Sequence, residues 1–161
     1  MAQDDRYHPA RHIKYQDQEA DIDLAIASLI LNLWKLDIHT MNSCEDNVPK
    51  GFVWIEFVSV YDAERFLDIV AKYSKGKGSV YGRITGWYCD AELEAWIYNT
   101  HVFDYGVDEE FSNDDVISTT FSGQHQFQFS MSIGFPRRDL RFVKKQISKA
   151  LVMTPKPERI A

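Results

Sequence analysis

Long apolar runs, cysteine and an excess of positive charge are what this chain lacks. Its 161 residues hold two cysteines, Cys44 and Cys89, too few for a secreted disulfide scaffold. No stretch approaches the roughly 20 apolar residues of a bilayer-spanning helix. The opening MAQDDRYHPA has no apolar core of the kind a secretory leader carries. These absences predict a cytoplasmic protein with no membrane association. Lys and Arg number 18 against 24 Asp and Glu, a formal charge of −6. Binding to duplex nucleic acid draws on clustered cations, so such a partner is not expected. Metal and phosphate motifs are missing too: there is no C-x-x-C or H-E-x-x-H, and Lys75-Gly76-Lys77-Gly78 lacks the spacing of a phosphate-binding loop. Neither a metal ion nor a cofactor is expected. His8 and His12 flank Pro9 in a polar arm and read as solvent-exposed.

What the chain does have is apolar and aromatic content, 45% and 14% respectively. That is enough for one domain, 1–161, to bury a core without metal or disulfide staples. Residues 1–10 read as a loose arm and 154–161 as a flexible tail. Between them, His12–Tyr15 alternates as a short edge strand. Asp17–Leu36 reads as a first helix, capped by Asp17 or Asp21, with Ile22, Ile26, Leu29, Ile30 and Leu33 at helical spacing. Its other side, Leu24, Ala27, Leu31 and Trp34, is apolar as well. Both flanks must therefore be covered, by the protein's own sheet and a neighbouring helix or by a second copy.

Leu36–Ser43 and Phe52–Val58 follow as two strands, Val48-Pro49-Lys50-Gly51 supplies the turn, and Ser59-Val-Tyr-Asp62 is a capping box for a second helix with Ala63, Phe66, Leu67, Val70 and Tyr73 buried. A short extended run at 83–88, a strand at 95–104, an acidic loop at 105–115 and a strand at 126–135 come next. In the last strand Phe127, Phe129, Met131, Ile133 and Phe135 are predicted core and Gln126, Gln128, Ser130 and Ser132 wet. Pro136 then opens a third helix striped by Leu140, Val143, Ile147 and Leu151. The order predicts an α+β fold: a ferredoxin-like, mostly antiparallel sheet with helices on one face and a C-terminal strand-strand-helix extension.

Charge is unevenly spread. Asp90, Glu92, Glu94, Asp104, Asp108, Glu109, Glu110, Asp114 and Asp115 precede a basic block of Arg137, Arg138, Arg141, Lys144, Lys145 and Lys149. The blocks read either as two solvated faces or as a basic pocket for a phosphate or carboxylate.

With helices on one face, the other collects Trp54, Glu56, Gln128, Ser130 and Ser132, together with either Trp96, Tyr98 and Thr100 or Ile97, Asn99 and His101. Parity on 95–104 is undecided by sequence. Aromatics interleaved with amides and hydroxyls suit a flat ligand or a homo-oligomer interface.

Ser43-Cys44-Glu45-Asp46-Asn47 ends a strand, where reactive groups of α+β folds reach solvent. It reads as a polar turn, or as a grip for a polar ligand built from Ser43, Cys44, Asp46 and Asn47 with Trp54, Glu56 and His101. A nucleophilic Cys44 needs a base, and His39 and His101 are the candidates; Glu45 and Asp46 oppose ionisation.

Thr40, Ser43 and Cys44 also resemble the T-x-S-S-C-S-G-R signature of the tRNA methyltransferase family of wybutosine synthesis, with Glu45, Asp46 and Asn47 standing where that family has Ser, Gly and Arg. The likeness covers about a quarter of the chain, and implies that Ser43 and Cys44 border a pocket. Another likeness, a helix followed by an S-C strand end and a W-I-x-F strand, is to short bacterial proteins, and implies no activity.

Three functions follow as expectations. The first is a self-associating binding protein for a small polar, nucleotide-like ligand. The second is an enzyme using Cys44, with His101 as base or Glu45 in an acid-base role. The third is a structural or regulatory subunit that binds protein through the open sheet face.

Overall fold

The computed structural model describes residues 8–47, 49–71, 79–86, 95–104, 107–111, 117–121 and 127–154. Strands β1 (Ala10–Tyr15) and β2 (Gln18–Asp23) form an antiparallel hairpin in which Tyr15 faces Gln18 across a two-residue turn. Gln16 takes the turn at a positive φ of 55°. The helix expected from Asp17 therefore starts later, as α1 (Ala27–Lys35). Ala20 and Ile22 point inward while Glu19 and Asp21 are exposed, a period of two, which competes with the longer helical spacing that Ile22 shares with Ile26. Cross-strand pairing settled the competition.

Helix α1 closes in a Schellman motif. Ile38 N–H donates to the Leu33 carbonyl and Asp37 N–H to that of Trp34, both at 3.0 Å, with Asp37 at φ 59°. Arg65 reinforces that end, donating to the Leu36 carbonyl at 2.6 Å and to that of Asp37. This C-terminus displaces the next strand, expected at Leu36–Ser43, to β3 (Thr40–Asn47).

Strand β4 (Phe52–Phe57) returns beside β3. Ser59 then caps α2 (Val60–Val70), its hydroxyl accepting from Asp62 N–H at 3.1 Å. The run expected to be extended from Arg83 is instead the end of a helix, α3 (Val80–Thr85), capped by Ser79 and stopped at Gly86 in the left-handed conformation. Residues 87 and 88 of that run lie outside the described residues. So do Cys89 and, at the two ends, 1–7 and 155–161. Beyond β5 (Ile97–Asp104), the segment expected as an acidic loop contains β6 (Val107–Phe111), which pairs with β7 (Ile117–Phe121). Strand β8 (Phe127–Pro136), one 3-10 turn (Arg137–Asp139) and α4 (Leu140–Met153) complete the described chain.

The fold is α+β. Its four-stranded sheet has the order β3-β4-β8-β5, with every neighbouring pair antiparallel. Strands β4 and β5 thus run the same way on either side of β8, a split β-α-β unit of the kind ferredoxin-like sheets contain. The expected C-terminal strand-strand-helix is β5, β8 and α4. The first strand does not join this sheet; β1 and β2 form their own.

Register fixes the faces, because directly opposed residues project to the same side. Val53, Ile55 and Phe57 lie opposite Phe135, Ile133 and Met131, and join Leu29, Ile30, Leu33, Phe66, Val143 and Ile147 in one core. Trp96 stacks on Phe135 with centroids 4.9 Å apart. Each fully buried Phe, Leu or Ile contributes about 1.5–3 kcal/mol, so this layer dominates stability. The narrow polar stripe of α1 is explained within the chain: β1 packs on one flank and α4 on another. Phe127 and Phe129, expected in the core, are 60% and 50% exposed. They share the parity of Ile133 and Phe135 but lie at the far end of β8, paired with Asp104 and Val102.

Candidate functional site: a depression on the open sheet face

The opposite sheet face carries Cys44, Trp54, Gly134 and Ile97 in one cross-strand row, and Asn42, Glu56, Ser132 and Asn99 in the next. Ser130 and His101 stand beyond them. Parity on β5 is thereby decided: Ile97, Asn99 and His101 share this face, and Tyr98 lies on the helix side, its hydroxyl donating to the Ile84 carbonyl at 2.8 Å. Burial pushes the Tyr98 phenol far above its ordinary value.

A cavity of about 260 Å³ lies at one end of the face, lined by Asn47, Pro49, Phe52, Trp54, Ile97, Asn99 and Gly134. Gly134 is its floor. A Cβ added there would meet the Cβ of Ile97 at 3.7 Å and Cδ1 of Phe52 at 3.9 Å, ordinary contacts, so the missing side chain leaves room rather than relieving a clash. An isolated glycine between Ile133 and Phe135 in a strand marks such a place. Gly134 and Phe52 are additions to the expected site, whereas Asn99 belongs to one of the two parities the sequence left open.

Two of the expected binding residues, Asn47 and Trp54, line this cavity. Glu56 and His101 share the face but are committed to neighbours: Ser130 donates to Glu56 Oε1 at 2.9 Å, and His101 Nε2 lies 3.3 Å from Ser132 Oγ. Asp46 shapes the turn, its Oδ1 accepting from Gly51 N–H at 2.6 Å. Ser43 belongs elsewhere, in a second cavity of about 240 Å³ between β2 and β3. Glu45, 7% exposed, is a structural knot. Its Oε2 accepts from Ala25 N–H at 2.8 Å, its own N–H donates to Asp23 Oδ2 at 2.9 Å, and Arg137 and His8 lie 3.7 and 3.5 Å from Oε1.

Among the described residues Cys44 has no activating partner. Burial raises its thiol pKa, the Asp23 and Asp46 carboxylates raise it further, and only the Asp46 backbone N–H pulls the other way. The pairing with His101 does not form: β3 and β5 are opposite edges of the sheet, about 14 Å apart at strand spacing. His39 faces Asp37 at 3.3 Å. Among the described residues no three His, Cys, Asp or Glu gather as a metal site, and no helix is long and apolar enough to cross a membrane. Most of the acidic block lies where side chains are not described, so its relation to the basic block rests on sequence alone.

The class these observations define is an α+β protein with an open-faced antiparallel sheet and a small aromatic–amide depression. No protein family and no solved structure matches the chain. It is similar to the uncharacterised protein R428 of Acanthamoeba polyphaga mimivirus, 26% identical over 140 residues, which cover 84% of this chain and 65% of that protein. The chain thus spans less than two thirds of its relative's length.

Proposed function

We propose that the protein binds a small, flat, polar ligand, of the size of one heterocyclic ring system, in the depression over Gly134. The reading is carried by one observation: Trp54 offers an indole beside a glycine floor, with the amides of Asn47 and Asn99 on the same rim. An indole face supplies stacking, and amides supply one donor and one acceptor each. At about 260 Å³ the cavity is below the roughly 300–1,000 Å³ of drug-sized sites. That favours a base-like ring over a whole nucleotide. Among the described residues the lining holds no acid, base or nucleophile, which favours binding over catalysis.

Ligand-observed NMR with a panel of purines, pyrimidines and pteridines tests it. Saturation transfer to at least one ring, abolished in Trp54→Ala, is the expected result; no transfer to any ring overturns the reading.

A second reading, self-association through the same face, is favoured by the 37% exposure of both Ile97 and Phe103 there. Light scattering separates the two. A mass of one chain at high concentration removes the self-associating reading.

A further inference from the structure

Strands β2 and β3 follow one another through α1, meet at their C-terminal ends and part toward their N-terminal ends. At the meeting point Glu45 N–H donates to Asp23 Oδ2 and Ala25 N–H to Glu45 Oε2. At the other end a cavity of about 240 Å³ separates 17–22 from 40–43. Among the described residues no backbone hydrogen bond bridges that gap, and the strands belong to different sheets. β3 is an edge strand of the large sheet and β2 an edge of the hairpin, and the cavity lies between them; of the β3 donors there, Ser43 N–H is held locally by Asn42 Oδ1 at 2.9 Å. Two facing, unbonded strand edges form a slot of the kind that accepts an added strand.

Two further features say what would fill it. Asp17 and Glu19 line the slot, with no basic side chain among the lining residues. Lys14 holds Glu19 at 3.0 Å with both side chains more than half exposed, a pair that costs little to exchange. Trp34, Ile22 and Met41 supply apolar surface beneath.

We propose that this slot binds an extended polypeptide segment with basic side chains, added as a strand between β2 and β3. Main-chain hydrogen bonds to the two edges supply affinity. Lysine or arginine at alternate positions meets Asp17 and Glu19, and intervening small apolar residues face Trp34 and Met41. The site is separate from the depression over Gly134, and the proposal does not rest on that reading.

Selection of a random heptapeptide library against the full chain, followed by titration of the enriched peptides, tests it. Enriched peptides are expected to carry Lys or Arg at alternate positions. Their affinity should fall at least tenfold on N-methylation of alternate main-chain nitrogens. A comparable loss should follow in an Asp17→Asn, Glu19→Gln double variant, which removes both charges at exposed sites without setting a second cation against Lys14, and none in Trp54→Ala. No enrichment over an unrelated acidic protein overturns the proposal. So does binding indifferent to N-methylation, or binding lost in Trp54→Ala alone.

Discussion

Arg83 and Asp139 form a buried, two-pronged ion pair. The guanidinium Nε donates to Oδ2 at 3.0 Å and a terminal nitrogen donates to Oδ1; the indole N–H of Trp96 reaches the same Oδ2, also at 3.0 Å. Arg83 is 7% and Asp139 2% exposed. This contact pins α3 and the start of β5 to the entry of α4. An Asp139→Ala variant takes this acceptor away from a buried cation and an indole N–H, which costs about 3–5 kcal/mol. Against a total of roughly 5–15 kcal/mol for a domain, the urea midpoint should drop by about a fifth or more. An Arg83→Met, Asp139→Leu double variant, which removes both charges, should recover much of the loss.

Glu45 joins β3 to the hairpin and to the start of α1. Replacing it with alanine strands the Ala25 N–H, a loss of about 1–3 kcal/mol, whereas Glu45→Gln keeps an acceptor and should lose less. The Arg137 contact adds little, since that side chain is 48% exposed. Hydrogen exchange should report faster amide loss across β1 and β2 in Glu45→Ala, with β4 and β8 unchanged.

Cys44 should resist alkylation. Its thiol sits above the ordinary value because burial and then the Asp23 carboxylate disfavour the thiolate, so iodoacetamide at pH 8 should react more slowly than with an unstructured cysteine. Asp23→Asn removes one opposing charge and should speed the reaction, while leaving an amide oxygen for Glu45 N–H. The linkage has a definite sign. A thiol whose pKa is raised by folding contributes stability fully present below the unfolded value of about 8.5, and lost as pH climbs through it toward the folded value. Unfolding midpoints should fall above that pH in the native chain and fall less in Cys44→Ser.

Gly134 tolerates a methyl group. Its Cβ would find only ordinary contacts at 3.7 Å or more, so Gly134→Ala should leave stability unchanged or raise it by up to about 1 kcal/mol through the unfolded chain. The same methyl group fills part of the depression and should weaken whatever ring stacks on Trp54. A thermal melt and a ligand titration on one variant separate the two effects.

Elements whose signals were local were legible in the chain. The box Ser59–Asp62 started α2 where its spacing said, and Val53, Ile55 and Phe57 formed a buried strand. The displaced elements have separate causes. Asp17–Asp23 satisfies helical and strand spacing at once, and only Tyr15 meeting Gln18 across a turn selected the strand. Helix α1 then closed through Asp37, and that closure set the start of β3 downstream. Phe127 and Phe129 had the right parity for the core, but β8 runs on past the helices that cover Ile133 and Phe135.

The candidate site divides in the same way. Trp54 and Asn47 were marked by type and position at a strand end, whereas Asn99, Ile97 and Gly134 arrive from strands more than forty residues away in sequence and meet them only through the order β3-β4-β8-β5.

By itself the chain determined its α+β class, the apolar stripes of its helices, the α2 cap and its net negative charge, since these depend on composition and on contacts within a few residues. Which face β5 presents, that Cys44 and His101 stand at opposite sheet edges, that Glu45 is a knot, and that two strand edges face each other unbonded were decided by the tertiary structure. Strand order and register are set by packing between distant segments, and no local spacing encodes them.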